Sequence, residues 1–339
     1  MKNPIILFLI FSLSFFITFS SCSDKVINNN LNPEPDFDIY LVKRDFQNNL
    51  ISTYTIKSDG SELKLFNDSM GVSNYSYRNK ILLTKGGFSF NDIYIANYDG
   101  SNMTKIPMSN YQVYYCNLSP DAEKLYFISG SSGMDLYTVN ADGSGLVQIT
   151  DQLSSFYSVK FSPDGKMIAY LETSYFPNHR GTKLFISNTS GTYKKLLKDS
   201  IQDGGSVDWS SDGKKIIFHF LVTGMYVEKI GVIDTAISNF TVLANGYFPA
   251  WSPNGGKICF VSSNGTNTEL YLMNEDGSNI INVSNIPGIN PYYIKWSKDG
   301  MRILYRSIEG SNPAKLWMYD LNANSNTLLA DSVYDAVWQ

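Results

Sequence analysis

The chain has 339 residues, of which 27 are Lys or Arg and 31 are Asp or Glu, so its formal net charge is −4. Hydrophobic residues make up 43% and aromatic residues 14%, which excludes an intrinsically disordered chain because disorder requires few aromatics and high net charge. The acidic balance also excludes nucleic-acid binding through a basic surface. Only two histidines are present, His179 and His219, and we predict neither a metal nor a cofactor.

The first 22 residues have the pattern of an export signal. Lys2 precedes an apolar run at 5–19, which is too short to span a membrane and is followed by two small residues. Cys22 comes next, and the pattern resembles the lipobox of bacterial lipoproteins, although Phe19 stands where that family usually has Leu. The resemblance implies cleavage before Cys22 and lipidation of this residue; the alternative is an ordinary cleaved signal. In that family Ser23 after the cysteine favours the outer membrane, on its periplasmic or its surface face.

Three regions are therefore predicted: a signal peptide at 1–21, a lipidated cysteine with a flexible tether at 22–36, and a folded domain at 37–339. The tether contains four asparagines and two prolines but few apolar residues. The remaining cysteines, Cys116 and Cys259, lie in apolar stretches. We expect buried free thiols, with a disulfide between them as the alternative.

From residue 37 onward, the sequence repeats a turn signature. In each copy an aromatic residue or Leu precedes a Ser, which begins a four-residue turn, and an apolar run follows. Pro presets φ in such a turn, Asp or Asn caps it through the side chain, and Gly accepts a positive φ. The clear copies begin at Ser119, Ser162, Ser210, Ser252 and Ser297, and a degenerate copy at 75–80 is aligned with Tyr75 in the place of Ser. Each signature predicts a strand, a tight turn and a second strand.

A second signature predicts a hairpin in the other half of each repeat. It has Asp-Gly between alternating apolar strands, which is the strongest short-range hairpin signal. Clear copies contain Asp59, Asp99, Asp142 and Asp276, and looser copies occupy 188–191, 234–238 and 320–324. Seven hairpins at a period of about 43 residues predict an all-β, seven-bladed β-propeller, with six or eight blades as alternatives.

The end of the chain is expected to close the ring. Residue 339 lies 42 positions after Ser297 and follows Trp338, so it occupies the place of the repeated Ser. We therefore predict that 333–339 form the inner strand of a blade whose other strands lie at 39–42, 52–56 and 63–66. This closure removes the open seam between the first and last blades.

Ser-Pro-Asp-Gly-Lys after an aromatic residue, with Asp-Gly-Ser hairpins downstream, resembles the TolB-type, WD40-like propeller repeat. The resemblance covers essentially 37–339 and implies a binding module or an enzyme, since propellers host both. TolB itself carries a small α/β domain before a six-bladed propeller and works with the Tol-Pal envelope system, whereas here the tether leads directly into predicted strands. Other relatives place the propeller before a serine peptidase domain, but this sequence has no G-x-S-x-G nucleophile motif.

Oligogalacturonate lyases look similar in fold and use a histidine-rich metal site inside a seven-bladed propeller. Two histidines far apart in sequence do not form such a cluster, and we expect His219 to be an ordinary strand histidine. The repeated hairpin aspartates suggest calcium or paired carboxylates, but their position in turns explains them. We therefore predict no catalytic residues, and a polysaccharide-active lyase or hydrolase is the alternative.

The starts of the inner strands supply the main candidate for a binding site. Five residues before the repeated Ser, five of the seven predicted inner strands have Tyr. An aromatic ring at one channel mouth is suited to stacking on sugars or gripping a peptide. The alternative is that a strand period of two directs these rings into the layer of side chains between blades. The candidate ligand-binding residues are Tyr114, Tyr157, Tyr247, Phe248, Tyr292, Tyr293 and Tyr334.

A second candidate surface lies in blade four, which has the longest repeat. Residues 174–182 are predicted to form an extra loop, and four of them would give it an exposed contact surface: Tyr175, Phe176, His179 and Arg180. An ordinary tolerated insertion is the alternative.

These features predict a lipid-anchored extracytoplasmic propeller, monomeric, that acts as a noncatalytic scaffold in the cell envelope. Its expected partner is an envelope protein or an extracytoplasmic polysaccharide. It would contact the membrane through its lipid and would bind no nucleic acid.

Overall fold

The structure, a computed structural model, describes residues 38–45, 50–76, 79–86, 90–108, 111–130, 134–150, 155–176, 179–201, 204–222, 227–263, 265, 267–286, 288–308 and 314–338. The predicted signal peptide, Cys22 and the tether lie outside these residues. The described residues form 28 β-strands. None of them belongs to a helix long and apolar enough to cross a membrane.

The strands form seven antiparallel blades of four strands each, and one bridge, between Phe90 and Val113, joins blades two and three. Blade one comprises β28 (Asp335–Trp338), β1 (Ile39–Asp45), β2 (Leu50–Ile56) and β3 (Lys64–Asn67), and blade two comprises β4 (Gly71–Ser76), β5 (Lys80–Gly86), β6 (Phe90–Asn97) and β7 (Thr104–Ile106). Blade three comprises β8 (Val113–Leu118), β9 (Lys124–Ser129), β10 (Asp135–Asn140) and β11 (Val147–Gln148), and blade four comprises β12 (Ser155–Phe161), β13 (Met167–Phe176), β14 (His179–Asn188) and β15 (Lys194–Ile201). Blade five comprises β16 (Val207–Trp209), β17 (Lys215–Val222), β18 (Val227–Asp234) and β19 (Phe240–Asn245). Blade six comprises β20 (Tyr247–Trp251), β21 (Lys257–Ser263), β22 (Thr268–Asn274) and β23 (Ile281–Asn282), and blade seven comprises β24 (Asn290–Trp296), β25 (Arg302–Ile308), β26 (Lys315–Asp320) and β27 (Ser325–Ala330). This architecture confirms the predicted seven-bladed β-propeller.

The first turn signature joins the inner strand of a blade to its second strand. In blade five, the Ser210 hydroxyl donates a hydrogen bond to Asp212 (2.7 Å) and accepts one from the Lys215 amide (2.9 Å). Gly213 completes the turn at a φ of 70°. The hydrogen bonds from Ser210 and the Lys214 amide lower the pKa of Asp212. The signature is therefore self-contained, since its own polar groups stabilise the turn.

The second signature forms the hairpin between the third and fourth strands. Asp276 accepts hydrogen bonds from both the hydroxyl (2.6 Å) and the amide (2.9 Å) of Ser278, and these bonds lower its pKa. Asp99 and Asp142 make the same pair of contacts with the Ser two residues on. These local hydrogen bonds account for the repeated carboxylates without a ligand.

The end of the chain closes the ring as predicted. The C-terminal strand β28 pairs antiparallel with β1, with Trp338 opposite Ile39 and Asp335 opposite Val42. The Trp338 indole also donates a hydrogen bond to the Lys295 carbonyl of blade seven (3.1 Å). Blade one therefore joins the two ends of the described chain, and one side chain fastens it to its neighbour.

In blade two the repeat is displaced by one residue from the predicted alignment. Tyr75 pairs with Ile81, the register that Trp209 and Ile216 show in blade five. Tyr75 therefore occupies the aromatic position and Ser76 the Ser position, because this turn is one residue shorter. The residues five and four before the Ser are then Gly71 and Val72.

The two central cysteines are buried and free, as expected, and lie in different blades. Cys116 belongs to blade three and Cys259 to blade six. Burial raises the pKa of Cys116 to about 12, so its thiol stays protonated at neutral pH.

Candidate functional site

The inner strands of a propeller line its central channel, and here their hydrogen-bonding register breaks near the start of the strand. The break occurs in five of the seven strands, which are β4, β8, β12, β20 and β24. Phe248 and Tyr293 lie in such breaks and have positive φ angles of 52° and 60°. A β-bulge of this kind redirects side chains, so the period of two does not continue through it.

We call this end of the channel the mouth; two of its predicted aromatic residues are exposed. Tyr334 is 39% exposed and Phe248 is 38% exposed. Tyr114, Tyr247, Tyr292 and Tyr293 are half-buried, and only the backbone of Tyr157 is described. Tyr247 packs against the core between blades six and seven, as the alternative interpretation expects.

The most exposed aromatic residue at the mouth, Tyr115, is absent from the predicted set. Its side chain is 46% exposed. It lies four residues before Ser119, the position that Phe248 and Tyr293 occupy in blades six and seven. This shared position in the repeat could therefore have identified Tyr115 as a mouth residue from the sequence.

Arg306 enters the mouth from β25, and sequence reasoning did not find it. Its guanidinium carbon lies 4.9 Å from the ring centre of Tyr292, 5.5 Å from that of Tyr293 and 5.9 Å from that of Tyr334. Arg44 of β1 lies 5.4 Å from the ring centre of Tyr334. The tyrosines of blades seven and one therefore surround a guanidinium group and make cation–π contacts with it.

Lys295 and Asp335 form an ion pair deeper in the channel. The Lys295 Nζ atom lies 3.6 Å from Asp335 and donates a hydrogen bond to the Ala336 carbonyl (3.1 Å). Burial lowers the pKa of Lys295, and the positive charges of Lys160 and Arg306 act in the same direction against the opposing effect of Asp335. Burial, with a contribution from Asp335, raises the pKa of Tyr293 well above its usual range.

The mouth and channel carry more positive than negative charge, although the chain as a whole is acidic. The described cationic groups are Arg44, Lys160, Lys295 and Arg306, and the carboxylates are Asp208, Asp335 and Glu228, which lies beside His219. Such a channel favours an anionic group on a ligand.

His219, on β17, is a structural part of the mouth. It is 7% exposed, and its Nδ1 atom accepts a hydrogen bond from the Phe248 amide (3.3 Å). Gly205 stands at the position where most inner strands have Tyr. A Cβ atom at Gly205 would lie 1.8 Å from the imidazole, so the histidine occupies the space that a side chain at this position would need. Burial lowers the pKa of His219 to about 4, and Glu228 lies 3.9 Å from its Nε2 atom. His219 is therefore neutral at pH 7 and holds the bulge of blade six.

A pocket of about 300 Å³ lies at the other end of the channel. Its lining includes Lys160, Asp208, Trp209, Trp251 and Pro253. Asp208 accepts a hydrogen bond from the Trp251 amide (2.8 Å) and lies 4.0 Å from Lys160, while burial raises its pKa. Within the described residues, no group of three or more His, Cys, Asp and Glu side chains is arranged to hold a metal ion.

The loop predicted in blade four is instead the end of a long β-hairpin. Tyr175 pairs with Arg180 and Phe176 pairs with His179, in strands of 10 residues each. Thr173 and Thr182 extend the pairing with a hydrogen bond between their hydroxyls (2.8 Å). The extra residues therefore continue the sheet, because β-branched and aromatic residues suit a strand better than a loop. Only the backbone of the four predicted contact residues is described.

Comparisons with known proteins rest on structure. No protein-family model matches the chain, and no curated protein matches its sequence. The fold is similar to that of a putative TolB from Agrobacterium tumefaciens, at 19% identity and a TM-score of 0.55, over 71% of this chain and 88% of that one. It is also similar to an oligogalacturonate lyase from Vibrio parahaemolyticus, at 13% identity and a TM-score of 0.60, over 88% and 87% of the two chains.

A third similar structure is a puromycin-hydrolysing peptidase from Mycobacterium tuberculosis. The identity is 10% and the TM-score 0.67, over 89% of this chain and 53% of that one, so the chain spans about half of the peptidase. These likenesses concern the fold. The protein has the TolB-like propeller architecture, in seven blades, with an aromatic and cationic channel mouth.

Proposed function

We propose that the protein is a noncatalytic binding module of the cell envelope whose channel mouth holds a protein partner. The observation that carries this proposal is a channel mouth with three exposed aromatic side chains, Tyr115, Phe248 and Tyr334, and a guanidinium group, that of Arg306, in contact with Tyr334. Aromatic and Arg side chains dominate the binding energy of protein interfaces. The likeness to TolB proteins is in keeping with a binding role, but the fold is shared with a lyase and a peptidase, so the argument depends on the mouth.

The ionisable groups of the channel support a binding role over catalysis. Asp335 is occupied by Lys295 and by the Ala336 amide, and His219 is a buried, neutral hydrogen-bond acceptor. Asp208 is held by the Trp251 amide and Lys160. Each of these groups already has a structural partner.

The proposed location depends on residues outside the described part of the chain. Cys22 after an export signal supports a lipid anchor, and Ser23 supports the outer membrane. We expect Cys22→Ala to abolish incorporation of radiolabelled palmitate into the protein in its native host. Unchanged labelling of the variant would contradict the anchor.

A capture experiment tests the binding role. Tyr115→Ser with Phe248→Asn removes two exposed rings, and Asn tolerates the positive φ of residue 248. We expect the chain from Ser23 onward to capture a stoichiometric partner from solubilised envelopes and this double variant to lose it, with Tm nearly unchanged. Tyr247 and Tyr292 suit this test less well because both are half-buried, and Tyr247 packs on the core.

A matched control removes two exposed apolar side chains away from the mouth. Tyr193→Ser with Ile237→Asn serves this purpose, since these residues are 46% and 76% exposed near outer hairpins. We expect the control to keep the partner. Equal recovery by the mouth variant would contradict a binding role for the mouth.

A polysaccharide-active enzyme is the second candidate function. One observation favours it: the hydroxyl of Tyr293 lies beside Asp335, with Lys295 and Arg306 close by in the channel. Release of reducing ends or unsaturated products from polysaccharides, lost on Tyr293→Phe, would support this function in place of the first.

A further inference from the structure

Arg306 is a cation of the channel that takes part in no ion pair among the described residues. The ion pairs of the described channel are Lys160 with Asp208 and Lys295 with Asp335, and neither includes Arg306. Its Nε atom is buried without a hydrogen-bond partner. A guanidinium group that is partly removed from water without an anion is costly, so this position favours an anion supplied from outside.

The surroundings of Arg306 increase this preference. Lys295 lies 4.6 Å from the ring centre of Tyr293, and Arg306 lies on the same ring at 5.5 Å. Asp335, the carboxylate beside Lys295, accepts a hydrogen bond from the Ala336 amide (2.6 Å) and pairs with Lys295. An additional anion would offset the repulsion between neighbouring cations.

The tyrosine rings indicate which kind of anionic ligand fits. The rings of Tyr292, Tyr293 and Tyr334 make cation–π contacts through their faces with the side chains of Arg306, Lys295 and Arg44. These faces are therefore less available for stacking on sugar rings. The guanidinium N–H groups of Arg306 are hydrogen-bond donors in a forked arrangement, which suits carboxylate groups on flexible side chains.

We propose that Arg306 binds a carboxylate of an acidic peptide segment at the channel mouth, with the tyrosines of blades seven and one enclosing the pair. This inference rests on the proposed function, because it names the chemistry of the protein partner. A forked guanidinium matches a carboxylate through two parallel hydrogen bonds, so Lys would be a poor replacement.

Fluorescence anisotropy with a labelled hexaglutamate peptide tests the inference, with hexaglutamine as the neutral probe. We expect the full mature chain to bind hexaglutamate and not hexaglutamine. Arg306→Gln is expected to weaken binding at least about tenfold, since it removes the charge-assisted hydrogen bonds to the carboxylate. Arg306→Lys should bind more weakly than the wild type and more tightly than Arg306→Gln.

Lys214→Gln is the matched control, because it removes the same charge from an exposed turn at the other end of the inner strands. We expect it to bind hexaglutamate as the wild type does. Equal weakening by Lys214→Gln and Arg306→Gln would show attraction by overall charge and would overturn the proposal. Absence of hexaglutamate binding to the wild type would also overturn it.

Two further outcomes separate this inference from the proposed function. If Arg306→Gln still captures the partner lost by the Tyr115 and Phe248 double variant, the binding module stands and the carboxylate site is wrong. If polygalacturonate binds through Arg306 more tightly than hexaglutamate, an acidic polysaccharide is the ligand and the peptide proposal is overturned.

Discussion

Removal of residues 333–339 is expected to abolish cooperative folding. The deletion takes away β28, which is the inner strand of blade one, and exposes the paired edge of β1. It also removes the buried side chains of Val337 and Trp338. Loss of a buried Trp side chain alone costs about 3–5 kcal/mol. The free energy of unfolding of a domain is about 5–15 kcal/mol, so loss of the whole strand should remove most of the stability.

Thermal unfolding followed by circular dichroism would measure this effect. We expect the truncated protein to show no cooperative transition and to aggregate, whereas the full mature chain shows one. A synthetic peptide of residues 333–339 added in excess should restore the transition, and the same peptide with Trp338→Ala should not. A truncated protein with unchanged Tm would contradict the role of the split blade.

Between pH 6.5 and pH 4, His219 is expected to make the protein progressively less stable. Burial lowers its pKa from the ordinary value of 6.5 to about 4, so the unfolded state binds the proton more readily than the folded state. The stabilising contribution is complete above pH 6.5, falls as pH decreases, and is lost below about pH 4. A difference of this size corresponds to about 3 kcal/mol. Protonation also removes the Nδ1 acceptor of the Phe248 amide, so the bulge at the mouth should loosen.

Urea unfolding at several pH values would measure the His219 contribution. His219→Gln is the control, because a neutral amide does not titrate and should flatten the dependence between pH 6.5 and pH 4. The turn aspartates, such as Asp212 and Asp276, have pKa values below the ordinary 3.8. Their titration therefore changes the stability mainly at pH values below the range in which His219 acts. An unchanged pH dependence in His219→Gln would show that another group is responsible.

The fold was predictable from the sequence because the residues that stabilise each turn lie within the turn itself. The Ser210 and Asp212 side chains stabilise the turn in which they lie, and the Asp276 hairpin depends on Ser278 two residues away. Hydrogen bonds between residues so close in sequence can be predicted from the sequence, because they do not depend on how distant parts of the chain pack. The position of Trp338 in the repeat was sufficient to predict the split blade, since one more inner strand was needed.

Individual positions were harder to predict where the regular pattern breaks. Blade two has a turn one residue shorter, which moves Tyr75 out of the Ser position. The extra residues of blade four continue a hairpin, because paired threonines extend the ladder between Thr173 and Thr182. Both differences arise from backbone pairing between strands, which the repeat spacing does not specify.

The sequence alone determined the number of blades, the closure of the ring and the recurrence of tyrosines near the start of the inner strands. The tertiary structure decided what surrounds those tyrosines. In a regular strand the side chains would alternate and pack between blades, whereas β-bulges at Phe248 and Tyr293 interrupt this alternation. It also brought Arg306 from the second strand of blade seven, and His219 from that of blade five, to the channel mouth. Neither belongs to the repeated motif, and contacts between adjacent strands and blades place both beside the mouth.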